Sequence, residues 1–305
     1  MTRVAAVDCG TNSIRLLVSE AGPGGVRELD RRLIITRLGQ GVDATGEFHP
    51  DALARTFAAC DEYAIVLADL GVERVRFVAT SAARDAGNRQ AFFDGVEQRL
   101  GVRPEVIPGQ EEAQLSFGGA VAAATARGVV AAPMLVMDVG GGSTELFVGE
   151  DAASARGVSL DMGSVRIRER FLHSDPPTAE EIAEATAFID GLLDASGIDF
   201  AAPATWFGVG GTATALAAIV LELPVYDRAR VDGATVTREQ IVALSRTLLS
   251  WPVSRVLEIP TMAPGRADVI CAGALIVRRI AERLPVPLTV SEADILDGLV
   301  AGLLR

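Results

Sequence analysis

Residues 136–150, VMDVGGGSTELFVGE, place Asp138, three glycines, two hydroxyls and Glu145 directly after an apolar run. Without side chains, Gly140, Gly141 and Gly142 let successive backbone N–H groups converge on an anion, a nest for phosphate oxygens. Ser143 and Thr144 add hydroxyl donors. Asp138 and Glu145 supply hard oxygen ligands for a divalent cation, Mg2+ (or Mn2+), held partly through water. A plain turn does not need three glycines flanked by two acids. Near the N-terminus, residues 8–13 (DCGTNS) repeat the same D-x-G-x-x-S pattern. Thr11, Asn12 and Ser13 read as a second phosphate clamp, with Asp8 near the metal or its water. Short polar residues also suit a simple turn.

What the chain lacks narrows the chemistry. His49 and His173 are its only histidines, so a histidine metal site or a Ser-His-Asp hydrolase has almost no material. The work falls to carboxylates, hydroxyls and backbone. All 28 basic residues are arginine, and the net charge is −12, which argues against broad binding to nucleic acid or an anionic membrane. Arginine forks still allow a local anion pocket. Cys9, Cys60 and Cys271 form no CxxC pair and read as buried thiols of a reducing compartment. No apolar run, Val129 to Met137 included, reaches a bilayer span, and Asp8 interrupts the N-terminal one. The expectation is a cytoplasmic protein.

The positioning elements follow from periodicity. Each D-x-G-x-x-S motif sits between two apolar runs, which predicts strand, turn, strand, twice, about 130 residues apart. In the first half, a strand at 32–38, a helix from Asp51 to Leu70, a strand at 75–80, a helix from Arg89 to Leu100 and a strand at PEVI follow. A further helix runs from Gln110 to Ala126. In the second half, 158–163 continues a sheet, and the capping box Thr178-x-x-Glu181 starts a helix. A strand at 205–209 ends in Gly210, Gly211 and Thr212, whose N–H groups at a helix start face an anion. Thr237-x-x-Gln240 caps another helix, Arg266 to Leu284 reads as a long one, and a strand and helix close the chain. This predicts two α/β domains with mixed sheets flanked by helices and an active-site cleft between them. The division is 1–126, with 287–305 packing back on it, and 127–286.

The two hairpins, the G-G-T turn and this element order resemble the actin-like superfamily of sugar kinases and Hsp70 ATPases, whose domains are ribonuclease H-like. Within it the chain is most similar to the exopolyphosphatase and guanosine pentaphosphate phosphohydrolase (Ppx/GppA) family, in its short two-domain form. The stretches VDCGTNSIRLLV, VATSAARDAGN, VIPGQEEAQLSFGGA, VMDVGGGSTELFVG, SLDMGSVRIRERF and FGVGGTATALAA carry the similarity.

The resemblance implies hydrolysis of terminal phosphates from inorganic polyphosphate, with guanosine alarmones as further partners, and a homodimer. It assigns Glu112 as the general base that activates water, although an acid at a helix start also meets the helix dipole favourably. Glu111 reads as structural. Arg84 would pair with phosphate oxygens and offset transition-state charge. Gly210, Gly211 and Thr212 would grip a distal phosphate or a guanosine compound. Arg166, Arg168 and Arg170 form a polyphosphate track if they share a face and a solvated surface if they lie on a helix. Two other classes remain: a kinase of the same superfamily and a non-enzymatic alarmone sensor.

Overall fold

Thr2–Cys9 (β1) and Ser13–Gly22 (β2) form an antiparallel hairpin in the computed structural model, which describes residues 1–128, 131–151 and 154–304. Val129 and Val130, at the head of the expected apolar run, lie outside the described residues. Val4 to Val7 are all fully buried because both faces of the sheet are covered. Ala5, Val7 and Cys9 face one hydrophobic cluster, while Val4 and Ala6 face another. That is why β1 reads as a continuous apolar run and not as an alternation.

Gly25–Ile35 (β3) extends the hairpin, starting earlier than the expected strand. The short helix Val42–Thr45 (α1) precedes Pro50–Asp69 (α2), which the His49 side chain caps at the Asp51 N–H. Arg74–Ala79 (β4) runs parallel to β1 and is followed by Ser81–Asp85 (α3) and Arg89–Leu100 (α4). Glu105–Val106 (β5) pairs with β4, and Gly109–Ala126 (α5) follows. The first sheet has the order β3-β2-β1-β4-β5.

The plan then recurs. Met134–Val139 (β6), Thr144–Gly149 (β7) and Arg156–Leu160 (β8) form a second antiparallel meander. Ser164–Phe171 (α6) and Ala179–Ala195 (α7) follow, the latter opened at its N-terminus by the expected capping box. Thr205–Val209 (β9) runs parallel to β6 and passes directly into Gly210–Val220 (α8). Beyond it lie Arg228–Val231 (α9), Thr235–Val236 (β10), Arg238–Ser250 (α10) and Val253–Val256 (α11). Ile270–Ala281 (α12) begins four residues later than the expected helix, after a 3-10 turn at Pro264–Arg266. Leu288–Val290 (β11) pairs with β9, and Ile295–Leu303 (α13) ends the chain. The order β10-β11-β9-β6-β7-β8 repeats the first sheet with one added edge strand.

The chain divides into one unit of Met1–Leu115 plus the segment from Ile295, and another of Ser116–Asp294. This differs from 1–126 with 287–305, and 127–286. The first division falls inside the unbroken helix α5. The second falls after β11, because Leu288 and Val290 are fully buried in the second sheet, while only α13 joins the first unit. There Ile295, Leu296, Leu299 and Val300 pack on Val4, Ala6, Leu17 and Val78. All three cysteines are buried thiols. Among the described residues no helix is long and apolar enough to cross a membrane.

Candidate active site

The two hairpin turns are built alike. Gly10 N–H donates to Ser13 O at 2.9 Å, and Gly140 N–H donates to Ser143 O at 3.0 Å. The N–H of Gly140 is therefore committed to its own turn, and the nest reduces to Gly141 and Gly142. Their peptide planes are fixed from behind. Ser164 N–H donates to Gly140 O at 2.9 Å, Val165 N–H to Gly141 O at 2.8 Å, and Arg166 Nε to Gly142 O at 2.8 Å. With the carbonyls tied to α6, the Gly141 and Gly142 N–H groups have no acceptor among the described residues.

Seven positions after each aspartate the hairpins differ. Asp8 stands opposite Arg15 in the β1/β2 ladder, and its Oδ2 accepts from Arg15 Nη2 at 2.6 Å and from Nε at 3.0 Å. In β6/β7 the same two slots hold Asp138 and Glu145, both buried. Directly opposed residues bring their Cβ atoms to about 5 Å. Two carboxylates in that position repel unless a cation or proton lies between them, whereas Asp8 has its cation built in. Asp138 and Glu145 thus fit a divalent ion bound by one or two carboxylates plus ligand phosphates. Asp8, held by a guanidinium, does not fit as a ligand. Ser159, opposite Glu145 on β8, donates to Glu145 Oε1 at 2.7 Å and orients it. Among the described residues no group of three or more His, Cys, Asp or Glu forms a closed metal cage.

Gly210 has φ 75°, and a Cβ there would stand 2.5 Å from Asp138 Oδ1. Only glycine lets the start of α8 lie against that carboxylate. A Cβ on Gly211 would stand 2.6 Å from Arg266 Nη2. Arg266 therefore brings a cation to the helix N-terminus, where free N–H groups already favour anions. From sequence, Arg266 is expected only as the first residue of a long helix. Only the 3-10 turn in front of α12 brings it there, and no spacing signals that.

The expected hydroxyl donors divide. Thr144 Oγ1 donates to Met162 O, and Thr212 Oγ1 donates to Val139 O at 2.7 Å. Each hydroxyl has one proton, so these two brace the loops and do not offer it to a ligand. Ser143 is buried at the turn. In the first hairpin Thr11 is buried, and its Oγ1 has no partner among the described residues. Asn12 O accepts from Thr36 and Arg37 N–H, and Thr11 O accepts from Gly39 N–H at 2.8 Å, which pins the loop. Ser13 begins β2.

Arg166, Arg168 and Arg170 lie on helix α6 and fan out. Arg166 is buried behind the nest, Arg168 donates to Ser174 O at 3.0 Å, and Arg170 lies 5.8 Å from the centre of the Phe188 ring. They do not form a shared track.

Glu112 lies in the first turn of α5 on the first unit, with 13% of its side chain exposed. Burial is the main cause that raises its pKa from 4.5 to about 7, and the charge of Asp8 adds to it. Arg84, whose Nη1 is 2.9 Å from Glu112 Oε2, and Arg15 oppose that rise. Glu111 points elsewhere and pairs with Arg76 at 2.9 Å.

The Ppx/GppA phosphatase family model matches residues 17–304. Exopolyphosphatase 2 of Mycobacterium tuberculosis is 44% identical over 319 residues, covering 99% of both chains. Guanosine-5'-triphosphate,3'-diphosphate pyrophosphatase of Pseudoalteromonas atlantica is 29% identical over 305 residues, covering 99% of this chain and 58% of that one. A solved exopolyphosphatase-like protein superposes with a TM-score of 0.94 at 40% identity, covering 100% of this chain and 99% of that chain.

Proposed function

Since the chain belongs to the Ppx/GppA phosphatase family, we propose that it hydrolyses the terminal phosphoanhydride bond of inorganic polyphosphate. The observation that carries this reading is Glu112, a largely shielded carboxylate tethered through one oxygen to Arg84, with a pKa of about 7 that suits a general base at neutrality. Water attacks the terminal phosphorus while Glu112 accepts its proton. The bond from that phosphorus to the bridging oxygen breaks, and its electron pair leaves with the shortened chain. In the second unit, the N–H groups of Gly141 and Gly142, with the α8 N-terminus and Arg266, are suited to hold non-bridging phosphate oxygens. Such catalysis is mostly positioning and charge stabilisation. Asp138 and Glu145 are the residues suited to hold Mg2+ (or Mn2+), which would neutralise charge on the phosphoryl oxygens.

Guanosine pentaphosphate is a second substrate under this reading, supported by the likeness to the named pyrophosphatase. A superfamily kinase would require an acceptor, and a pure alarmone sensor has no use for a general base. A homodimer, implied by the family, is read directly by sedimentation.

The test is orthophosphate release from short polyphosphate, long polyphosphate and guanosine pentaphosphate in the presence of Mg2+. Glu112→Gln should reduce release from polyphosphate by about 10²–10⁴-fold, the usual contribution of a general base. Undiminished release by that variant would sink the assignment, and binding without release in the wild type would favour the sensor.

A further inference from the structure

Arg84 reaches from α3 and commits its Nη1 to two acceptors in its own unit, Ile107 O at 3.0 Å and Glu112 Oε2 at 2.9 Å. The guanidinium and carboxylate side chains are 23% and 13% exposed, so the contact is largely shielded from water. The preceding glutamate has its own arginine. Arg76 on β4 holds Glu111, 40% exposed, and also bonds Glu105. Two consecutive acids at the start of α5 are thus tied to the β4–α3 segment by separate cations. Arg76 fastens the outer side of the helix start, and Arg84 fastens the inner carboxylate. Glu112 Oε1 accepts no hydrogen bond among the described residues. One oxygen of this carboxylate is tethered, and the other is left for a water.

Resting on the reading of Glu112 as the base, we propose that Arg84 is a positioning residue that holds Oε2 and so presents Oε1 to the attacking water, and does not itself grip the substrate's phosphates. This replaces the phosphate-pairing role expected from sequence. Both N–H donors of Nη1 are spent, one on a backbone carbonyl and one on the carboxylate, which fixes the guanidinium against Glu112.

The electrostatics agree. The groups that bear on Glu112 are Arg84 and Arg15, which favour its ionised form, and Asp8 and burial, which disfavour it. Removing Arg84 takes away the leading opposing influence, so the base becomes harder to ionise. An arginine beside a carboxylate typically shifts it by about one to three pH units.

The experiment measures kcat and KM on short polyphosphate from about pH 6 to about pH 9 for Arg84→Met and Arg84→Lys, where a general base should show its ionisation. For Arg84→Met, kcat at neutral pH should fall about tenfold or more, with KM changed by less than about twofold, and the acid limb should move up by about one pH unit or more. Arg84→Lys, which keeps the charge, should recover part of the loss, and it carries the same readouts if the methionine variant fails to fold. In the Glu112→Gln background, adding Arg84→Met should slow turnover no further and leave calorimetric binding of inorganic tripolyphosphate unchanged. A tenfold or larger loss of that binding, with a raised KM and an unmoved acid limb, would place Arg84 on the phosphate and overturn the proposal. If Glu112→Gln alone turns over like the wild type, the base reading fails first, and the two failures stay distinct.

Discussion

Asp8 and Asp138 occupy the same slot of the two hairpins, yet their neighbours give them different chemistry. Arg15 stands opposite the first and pairs with it, whereas a second acid, Glu145, stands opposite the other. The acids and glycines themselves were legible in the sequence, because their types and spacing repeat. Their partners were not. Which residue stands opposite an aspartate depends on strand register, and a hydroxyl's commitment, as at Thr144 and Thr212, depends on a carbonyl far away in the chain. Arg266 stayed hidden for the same reason. Glu112 shows what burial adds to a residue type. Its pKa is raised to about 7, and a base works only when ionised. The kcat/KM profile should therefore climb as pH rises through about 7 and level off above it. A profile already flat from pH 5 would mean that another group, or none, takes the proton.

Helix starts were the most legible elements. Thr178 with Glu181 and Thr237 with Gln240 were read as capping boxes, and both are formed. Thr178→Ala should destabilise the protein by about 1 kcal/mol in denaturant titration, the usual worth of such a cap. An unchanged midpoint would show that α7 is fixed by its packing alone. α12 begins later than its periodicity suggests because Pro264 and Gly265 turn the chain as a 3-10 segment before the helix settles at Ile270. Helical periodicity continues through such a turn and does not reveal it. β3 also began earlier than expected. Its first half, Val26 to Asp30, is largely polar and exposed at a sheet edge, so its pairing with β2 carries no hydrophobic signature.

The duplication of the whole molecule was visible in two six-residue motifs, and both sheets follow from it in the order strand 3-2-1-4 and onward. Its boundaries were less legible. An alanine-rich helix gives no hint that the division falls near its middle, and Leu288 and Val290 look like the lead-in to α13 although they belong to the second sheet. That α13 completes the first unit makes a prediction. Leu299 is fully buried among Val4, Ala6 and Val78, so Leu299→Ala should cost about 2–5 kcal/mol of stability. A loss below about 0.5 kcal/mol, the range of surface changes, would mean that the helix is dispensable to that core. The net charge of −12 offers no long-range attraction for a polyanion, so under the proposed function recognition would rest on local groups at the loops.

The central claim is that water, deprotonated at Glu112, attacks the terminal phosphorus of a phosphate chain. Turnover of short polyphosphate in ¹⁸O-labelled water, followed by mass analysis of the products, addresses it most directly. Each orthophosphate released should carry one solvent oxygen, and each remaining chain should be one unit shorter and unlabelled. Label in the remaining chain, internal fragments, or no orthophosphate without an added acceptor would contradict it.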